Sequence, residues 1–361
     1  MKRPKISKKN FIWLLCCVGF CIASLILFFW RSSLAALQES QQMAERWSSE
    51  GGVAQISCFF SGNARMTEDR IFSFEHTLDS VLQEASIQSE SENEGARLWV
   101  DAYSASGMLS VSSERASLML NALGVGGDFF LFHPQKLLHG GYFSGNDLNQ
   151  DGVIIDEETA WQLFGASDIV GKIITVGGAP HIIVGVIDRP EGKMEEGAGL
   201  DESIIYVSFE TLSNYGRITD VSHYEIVMPN PIKDFAMQKV KENLYADERE
   251  TEFIENTKRY SIASSLKVIG QFGYRSMNGK AIVYPYWENL ARGYEDIIAL
   301  ITLFMLLLLV FPAVTALIWL IYWWRHKSWT VKSVWNKLAD RVRILREKGY
   351  AKKALKQRKE K

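Results

Sequence analysis

Between Asp147 and Glu158 the chain sets oxygen-bearing side chains at alternate positions: Asp147, Asn149 and Asp151, then Gly152, an apolar Ile154 and finally Glu158. A hard divalent cation such as calcium asks for that spacing, with several oxygen donors, a glycine at the sharp turn and a late two-oxygen carboxylate. The residues ahead of Asp147 (GGYFSGN) cannot form the helix that should lead into such a loop, so the stretch reads equally as an acidic, solvated turn. Calcium is the one cofactor that the sequence raises. Gly165 to Lys172 resembles a phosphate-binding loop only superficially, because five residues rather than four separate the glycines and Ile173 stands where Ser or Thr would hold magnesium. The six histidines (76, 133, 139, 181, 223 and 326) show no zinc spacing, and no G-x-S-x-G elbow exists. No catalytic constellation emerges, and the expectation is a protein that is not an enzyme.

The elements around these residues have a recognisable grammar. Val153 to Ile155 is a short buried strand, and the acidic turn Asp156, Glu157, Glu158 opens a helix expected to carry Ala160, Trp161, Leu163 and Phe164 inward until Gly165 stops it. Lys172 to Val176 and His181 to Ile187 then flank Gly177-Gly178, a two-stranded ribbon with a glycine turn. Elsewhere Val53 to Phe60, Leu98 to Ala105, Met108 to Ser112, Ser117 to Val125, Ser203 to Val207, Tyr224 to Met228 and a segment around Phe253 to Ile262 read as strands, with Ser106-Gly107 as a turn. Glu68 to Ala85 and Phe235 to Ala246 read as amphipathic helices, and Arg189 to Asp201 as a Gly-rich, charged loop. Strands and helices interleave without a strict βαβ rhythm. That predicts an α+β domain, two-lobed, over residues 31–296.

Two apolar runs bracket it. Phe11 to Trp30 (20 residues) and Ile297 to Trp324 (28 residues) carry no charge, are long enough to cross a bilayer as helices, and end in Trp and Tyr. With no ionisable group in either run, no proton or ion path can be assigned to them. Of the four cysteines, Cys16, Cys17 and Cys21 lie in the first run and Cys58 stands alone outside it, so no disulfide framework is available. The first run is too long for a signal-peptide core and reads as a retained anchor.

The formal net charge of −2 hides a partition. Residues 1–10 hold five Lys/Arg and no acid, and residues 325–361 hold fourteen Lys/Arg against three acids, leaving 21 basic and 39 acidic residues between them. Basic flanks at both ends predict both termini in the cytoplasm and residues 31–296 outside. The basic tail also carries an apolar stripe of Val331, Val334, Trp335, Leu338, Val342 and Leu345, with Trp329 just ahead of it. Such a helix suits the anionic inner leaflet or a cytoplasmic protein partner, and nucleic acid is a poor fit beside a membrane span. Leu34 to Trp47 reads as a polar helix, and Trp287, Leu290, Ala291 and Tyr294 form a stripe leading into the second span. The two could pack as a stalk or serve as separate linkers.

Gly140/Gly141-Tyr142-Phe143, Val153 to Gly165, Gly171-Lys172-Ile173-Ile174 and Ile182 to Ile187 follow one another as the motifs of MacB-type ABC transporter permeases do in their periplasmic core domain. The chain resembles that family, which is grouped with the FtsX-like permeases, over roughly Arg31 to Asp296. The resemblance implies a non-catalytic membrane subunit whose ectodomain couples to, or recognises, something outside the membrane, with an ABC ATPase and other permease subunits as partners. Family members have four spans, three of them after the ectodomain. This sequence carries one there, which implies that other subunits complete any transport path. A reading of another class remains beside it: a stand-alone two-span sensing or adhesion ectodomain.

Overall fold

The computed structural model describes residues 8–87, 96–145, 147–273, 275, 280–326, 335 and 339–344. The chain divides into two units, one of Leu27–Leu303 and one made of the chain before and after it.

In the first unit, helix α1 (Lys8–Ala36) ends and gives way to a 3-10 turn (Glu39–Gln41) and the short helix α2 (Met43–Trp47), so the continuous polar helix expected to Trp47 is broken at Leu37. Strand β1 (Val53–Phe60) follows, then helix α3 (Glu68–Glu84), whose Ile71, Phe74, Leu78 and Leu82 recur at helical spacing and are all buried. Next come β2 (Val100–Ser112), β3 (Ser117–Gly127), α4 (Phe129–Phe132), β4 (Lys136–Gly140), β5 (Gly152–Asp156), α5 (Glu157–Phe164), β6 (Ile173–Val176) and β7 (Ala179–Asp188). The second half runs through α6 (Lys193–Glu195) with a π-helical turn (Glu196–Leu200), β8 (Ile204–Ser208), α7 (Phe209–Gly216), β9 (His223–Pro229), α8 (Phe235–Asn243), β10 (Thr251–Glu255), α9 (Ile262–Gln271) and α10 (Tyr286–His326).

The strands lie in the order β10-β1-β9-β2-β3-β8-β5-β7-β4, with β6 bonded to both β2 and β7. All pairs are antiparallel except β3 with β8 and β5 with β7. Because β6 joins β7 back to β2 through Val111–Val176 and Ser112–Thr175, the strands β2-β3-β8-β5-β7-β6 close into a ring, which removes unpaired edges on that side. The two lobes are therefore this ring and the open sheet β10-β1-β9-β2, and the thirteen-residue β2 belongs to both.

Side-chain alternation sorts the core into two layers. One face of the open sheet carries Ala54, Ile56, Cys58 and Phe60 against α3 and α8; the other carries Val100, Ala102 and Val227, continued by Leu123 and Val125 of the adjoining β3, against α2, α4 and the start of α10.

Several expectations give way to packing. Ser106-Gly107 does not turn, and β2 runs straight through it. A Cβ on Gly107 would meet Leu212 Cδ1 at 2.9 Å, and one on Gly124 of the paired strand would meet Leu212 Cβ at 2.6 Å. These glycines let α7 press onto the sheet. Trp161 points outward at 54% exposure, while Ala160 and Leu163 face in. Within the loop expected over 189–201, residues 193–200 form short helical turns that bury Ala198 and Leu200. The strand expected around 253–262 stops at Glu255, because Ser261 accepts a hydrogen bond from Ser264 N (3.2 Å) and starts α9. Gly177 and Gly178, both at positive φ (57° and 98°), make the expected β6–β7 turn.

In the second unit, the two helices are long and apolar enough to cross a membrane, at mean hydropathies of 2.7 and 3.0. They touch where Trp13 stacks on Phe311 and Phe20 lies tilted against it, and where Ser24 Oγ donates to Met305 O (3.3 Å).

Gly124→Ala should lower stability by about 1–3 kcal/mol through overpacking, and Leu212→Ala alone by about 2–5 kcal/mol. The double variant should lose clearly less than the sum, as read by denaturant unfolding of the full chain; strict additivity would contradict the Leu212 contact.

Candidate functional site

At the start of α10 a run of alternating charges ties the sheet to the helix. Arg259, in the turn after β10, makes a two-pronged bond to Glu288: Nη1 to Oε2 at 2.6 Å and Nη2 to Oε1 at 2.8 Å. Its Nε donates to Glu295 Oε1 at 2.7 Å, and Nη1 also reaches Gln41 Oε1 (3.1 Å) and Asn256 Oδ1 (3.2 Å). Arg292 Nε bonds Glu288 Oε1 (2.7 Å) and its Nη2 bonds Glu252 Oε1 (2.9 Å), with the guanidinium 3.8 Å above the Tyr284 ring. Arg275 joins Glu295 and Asp296, the latter at 2.7 Å. Glu252, Arg292, Glu288, Arg259, Glu295, Arg275 and Asp296 thus alternate in sign from β10 down the first three turns of α10.

The centre of this run is dry, with the side chains of Arg259 and Glu288 only 3% and 0% exposed. Burial works against the Arg259 charge, but Glu288 and then Glu295 outweigh it and push its pKa up. Paired planar groups make this fork geometry possible, which a lysine could not reproduce.

Next to it, Arg31 near the end of α1 is buried. Its Nε donates to Thr302 Oγ1 on α10 (2.8 Å), and its Nη2 donates to Tyr260 O and lies 3.5 Å from Ser265 Oγ. The residue after Arg259 is thereby held by α1, so α1, α9 and α10 meet at one turn. The two long helices thus lie side by side at Arg31 and Thr302.

An aromatic plug backs the charges. Trp287 is buried with its ring centroid 4.2 Å from His133 and 5.6 Å from both Phe129 and His223. Tyr286 OH lies 3.0 Å from Tyr206 OH and accepts from Gln135 Nε2 (3.1 Å). Beneath the plug, Asn256 Nδ2 donates to Ser57 Oγ (2.7 Å), Ser57 Oγ to Glu225 Oε1 (2.5 Å), and Glu225 Oε2 pairs with His133 Nε2. Since Asn256 also accepts from Arg259, a continuous buried polar line joins the charges to His133.

Bond-making chemistry finds little purchase here. Ser104 Oγ is 3.3 Å from His223 Nδ1, but both residues are 2% exposed, and burial drops the His223 pKa to about 4. Burial likewise raises the Cys58 thiol well above its ordinary value, away from the thiolate.

The residues singled out from sequence fall elsewhere. Asp147, Asn149, Asp151 and Glu158 are not gathered into a ligand set. Asp147 Oδ2 accepts from Ser144 N (2.9 Å), Asn149 is exposed, and the extended β5 separates Asp151 from Glu158. Glu158 bonds Arg189 Nη2 at 2.8 Å. Among the described residues no group of three His, Cys, Asp or Glu could hold a metal ion. Trp335 and Val342 are exposed, whereas Trp329, Val331, Val334, Leu338 and Leu345 lie outside the described residues. The charged run was missed: its α10 carboxylates were visible at helical spacing, but nothing in the sequence pairs Glu288 with Arg259, 29 residues away.

The family model for the MacB-like periplasmic core domain matches residues 19–243. The chain belongs to that family. The match takes in the sheet from β1 to β9 and all of α8, while Arg259 and α10 follow it. Similar proteins include the macrolide export ATP-binding/permease proteins MacB of Chromobacterium violaceum (28% identical over 107 residues) and of Pasteurella multocida (34% over 74 residues). These matches cover 29% and 20% of this chain, and 16% and 11% of those relatives' lengths. Among solved structures, the extracellular domain of the ABC-type transporter YknZ aligns at TM-score 0.38 and 19% identity, covering 55% of this chain and 99% of that one. The periplasmic region of MacB from Actinobacillus actinomycetemcomitans aligns at TM-score 0.38 and 15% identity, covering 62% and 94%.

Arg259→Met strands the buried Glu288 with Arg292 alone and should cost about 3–5 kcal/mol of unfolding free energy. Arg275→Met, at the wetter end of the run, should cost no more than about 1 kcal/mol. Denaturant titration of the full chain in detergent, followed by circular dichroism, checks both; equal losses would contradict the ordering by burial.

Proposed function

We propose that this chain is a non-catalytic membrane subunit of an ABC-type transport complex. In this reading the sheet domain lies outside the membrane and passes movement through α1 and α10. The observation that carries it is the buried Arg259–Glu288 pair, flanked by Arg31, which clamps β10, α9 and both long helices to one turn. A domain that only displayed a binding surface would need no more than a tether there, and a desolvated fork of charges costs too much to serve as one. Basic residues at both chain ends favour cytoplasmic termini. ATP hydrolysis would then come from a partner ATPase, since Gly165–Lys172 serves here as the cap of α5 and the turn into β6. Further permease subunits would complete the path, and the basic tail would meet the ATPase or the inner leaflet.

Affinity purification through a C-terminal tag, in mild detergent from the native host, should bring down an ABC ATPase in fixed ratio to this chain. Recovery of the chain by itself, or with copies of itself only, would contradict the assignment.

A further inference from the structure

Away from the membrane-proximal turn, α3 lies on β2 across a cleft with an unusual charge balance. Glu75 of α3 and Asp101 of β2 are hydrogen-bonded to each other through their carboxyl groups. Two carboxylates have acceptors only, so such a bond exists only while one of them carries a proton. Asp101 is 6% exposed, and its Oδ2 takes a further bond from Tyr224 OH on β9 (3.0 Å). The surroundings of Glu75 add further negative charge. Glu68 and Asp79 lie on α3 itself, bonded to Tyr103 OH and to Trp99 Nε1 (2.7 Å). Asp128, ahead of α4, is the partner of Arg97 at 2.5 Å. Tyr103 on β2 and Tyr224 on β9 hold their phenol protons, and Cys58 on β1 its thiol proton, since burial raises all three. Arg97 lines the cleft as well; it is bonded to Asp128, and its charge offsets only part of the burial of Asp101.

Two cavities lie here, of about 130 and 220 Å³, with Phe72 and Tyr103 as walls of both. Glu75 and Asp101 both line the smaller one, which is large enough to hold water beside the carboxyl pair.

We propose that the single proton shared by Glu75 and Asp101 is a latch that holds α3 down on β2, and that its loss at alkaline pH lets α3 lift and the cleft open. Burial first, and then the neighbouring carboxyl groups, raise Glu75 to about 8; burial raises Asp101 to about 6. Both values lie above those of an unfolded chain, so the folded state binds the proton more tightly. The stabilisation is complete below the unfolded values and is lost as pH rises through about 6 to 8. That sign is opposite to the usual carboxylate case.

The test is amide hydrogen exchange on the full chain in lipid nanodiscs, corrected for the intrinsic pH dependence, with α8 as internal reference. Between pH 7 and pH 9 the protection of α3 should fall about tenfold relative to α8, one proton being released on opening. In Glu75→Gln the amide donates to the Asp101 carboxylate without any shared proton, and α3 protection should stay level over the same range. Asp101→Asn should behave alike. A level α3 profile in the unaltered chain overturns the latch by itself, whether or not either variant folds. A fall in Glu75→Gln equal to that of the unaltered chain overturns it as well.

Discussion

A carboxylate and a guanidinium, both dry, decide how this molecule is built. Burying either Arg259 or Glu288 by itself would cost several kcal/mol, so neither position is tolerable unless the other is in place. The pair therefore fixes the helical phase of α10 against β10: rotate the helix by one residue, about 100°, and Glu288 leaves the fork. The hydrogen bonds that Arg259 gives to Asn256, Gln41 and Glu295 extend the constraint into the turn, the segment after α1 and the next turn of the helix. Hydrophobic contact alone, being non-directional, would leave that phase looser.

The sheet converts this local constraint into a property of the whole domain. Trp287 sits one residue before Glu288 and packs on His133 and His223, so the same turn of α10 is keyed into the opposite face of the open sheet. From there β2 continues as an unbroken strand into the closed ring, with Leu212 of α7 seated over Gly107 and Gly124. No hinge interrupts the path from α10 to the ring within β2. Helix α3 meets the sheet through the buried Ile71, Phe74, Leu78 and Leu82, and the Glu75–Asp101 carboxyl pair is a polar point set into that apolar seam.

Much of this was legible in residue order. β1, α3 and the stretch from β5 through β7 fell within a residue or two of expectation because strong period-2 and period-3.6 patterns coincide there with acidic or glycine stops. The apolar helices were legible as unbroken runs of 20 and 28 uncharged residues. What failed did so where tertiary contact overrides local habit. Gly107 reads as a turn, yet it is a glycine because Leu212, 105 residues later, leaves no room for a side chain. Trp161 reads as core, yet α5 already fills the sheet with Ala160 and Leu163. The acidic spacing at Asp147 to Glu158 suggested a metal loop, and an extended β5 with an Arg189 partner took its place. The charged run at α10 was invisible as a unit, since Glu288 and Glu295, two turns apart on a helix flank, look like any solvated face until the distant arginine is located.

The claim that matters most is that the sheet and the start of α10 are one body held by Arg259. Spin labels at exposed positions 119 on β3 and 300 on α10, in a chain whose four cysteines are replaced, measure it directly by pulsed electron–electron distance spectroscopy. The distance distribution should be single and narrow with Arg259 present, and should broaden or split in Arg259→Met. A distribution that Arg259→Met leaves equally narrow would contradict the account.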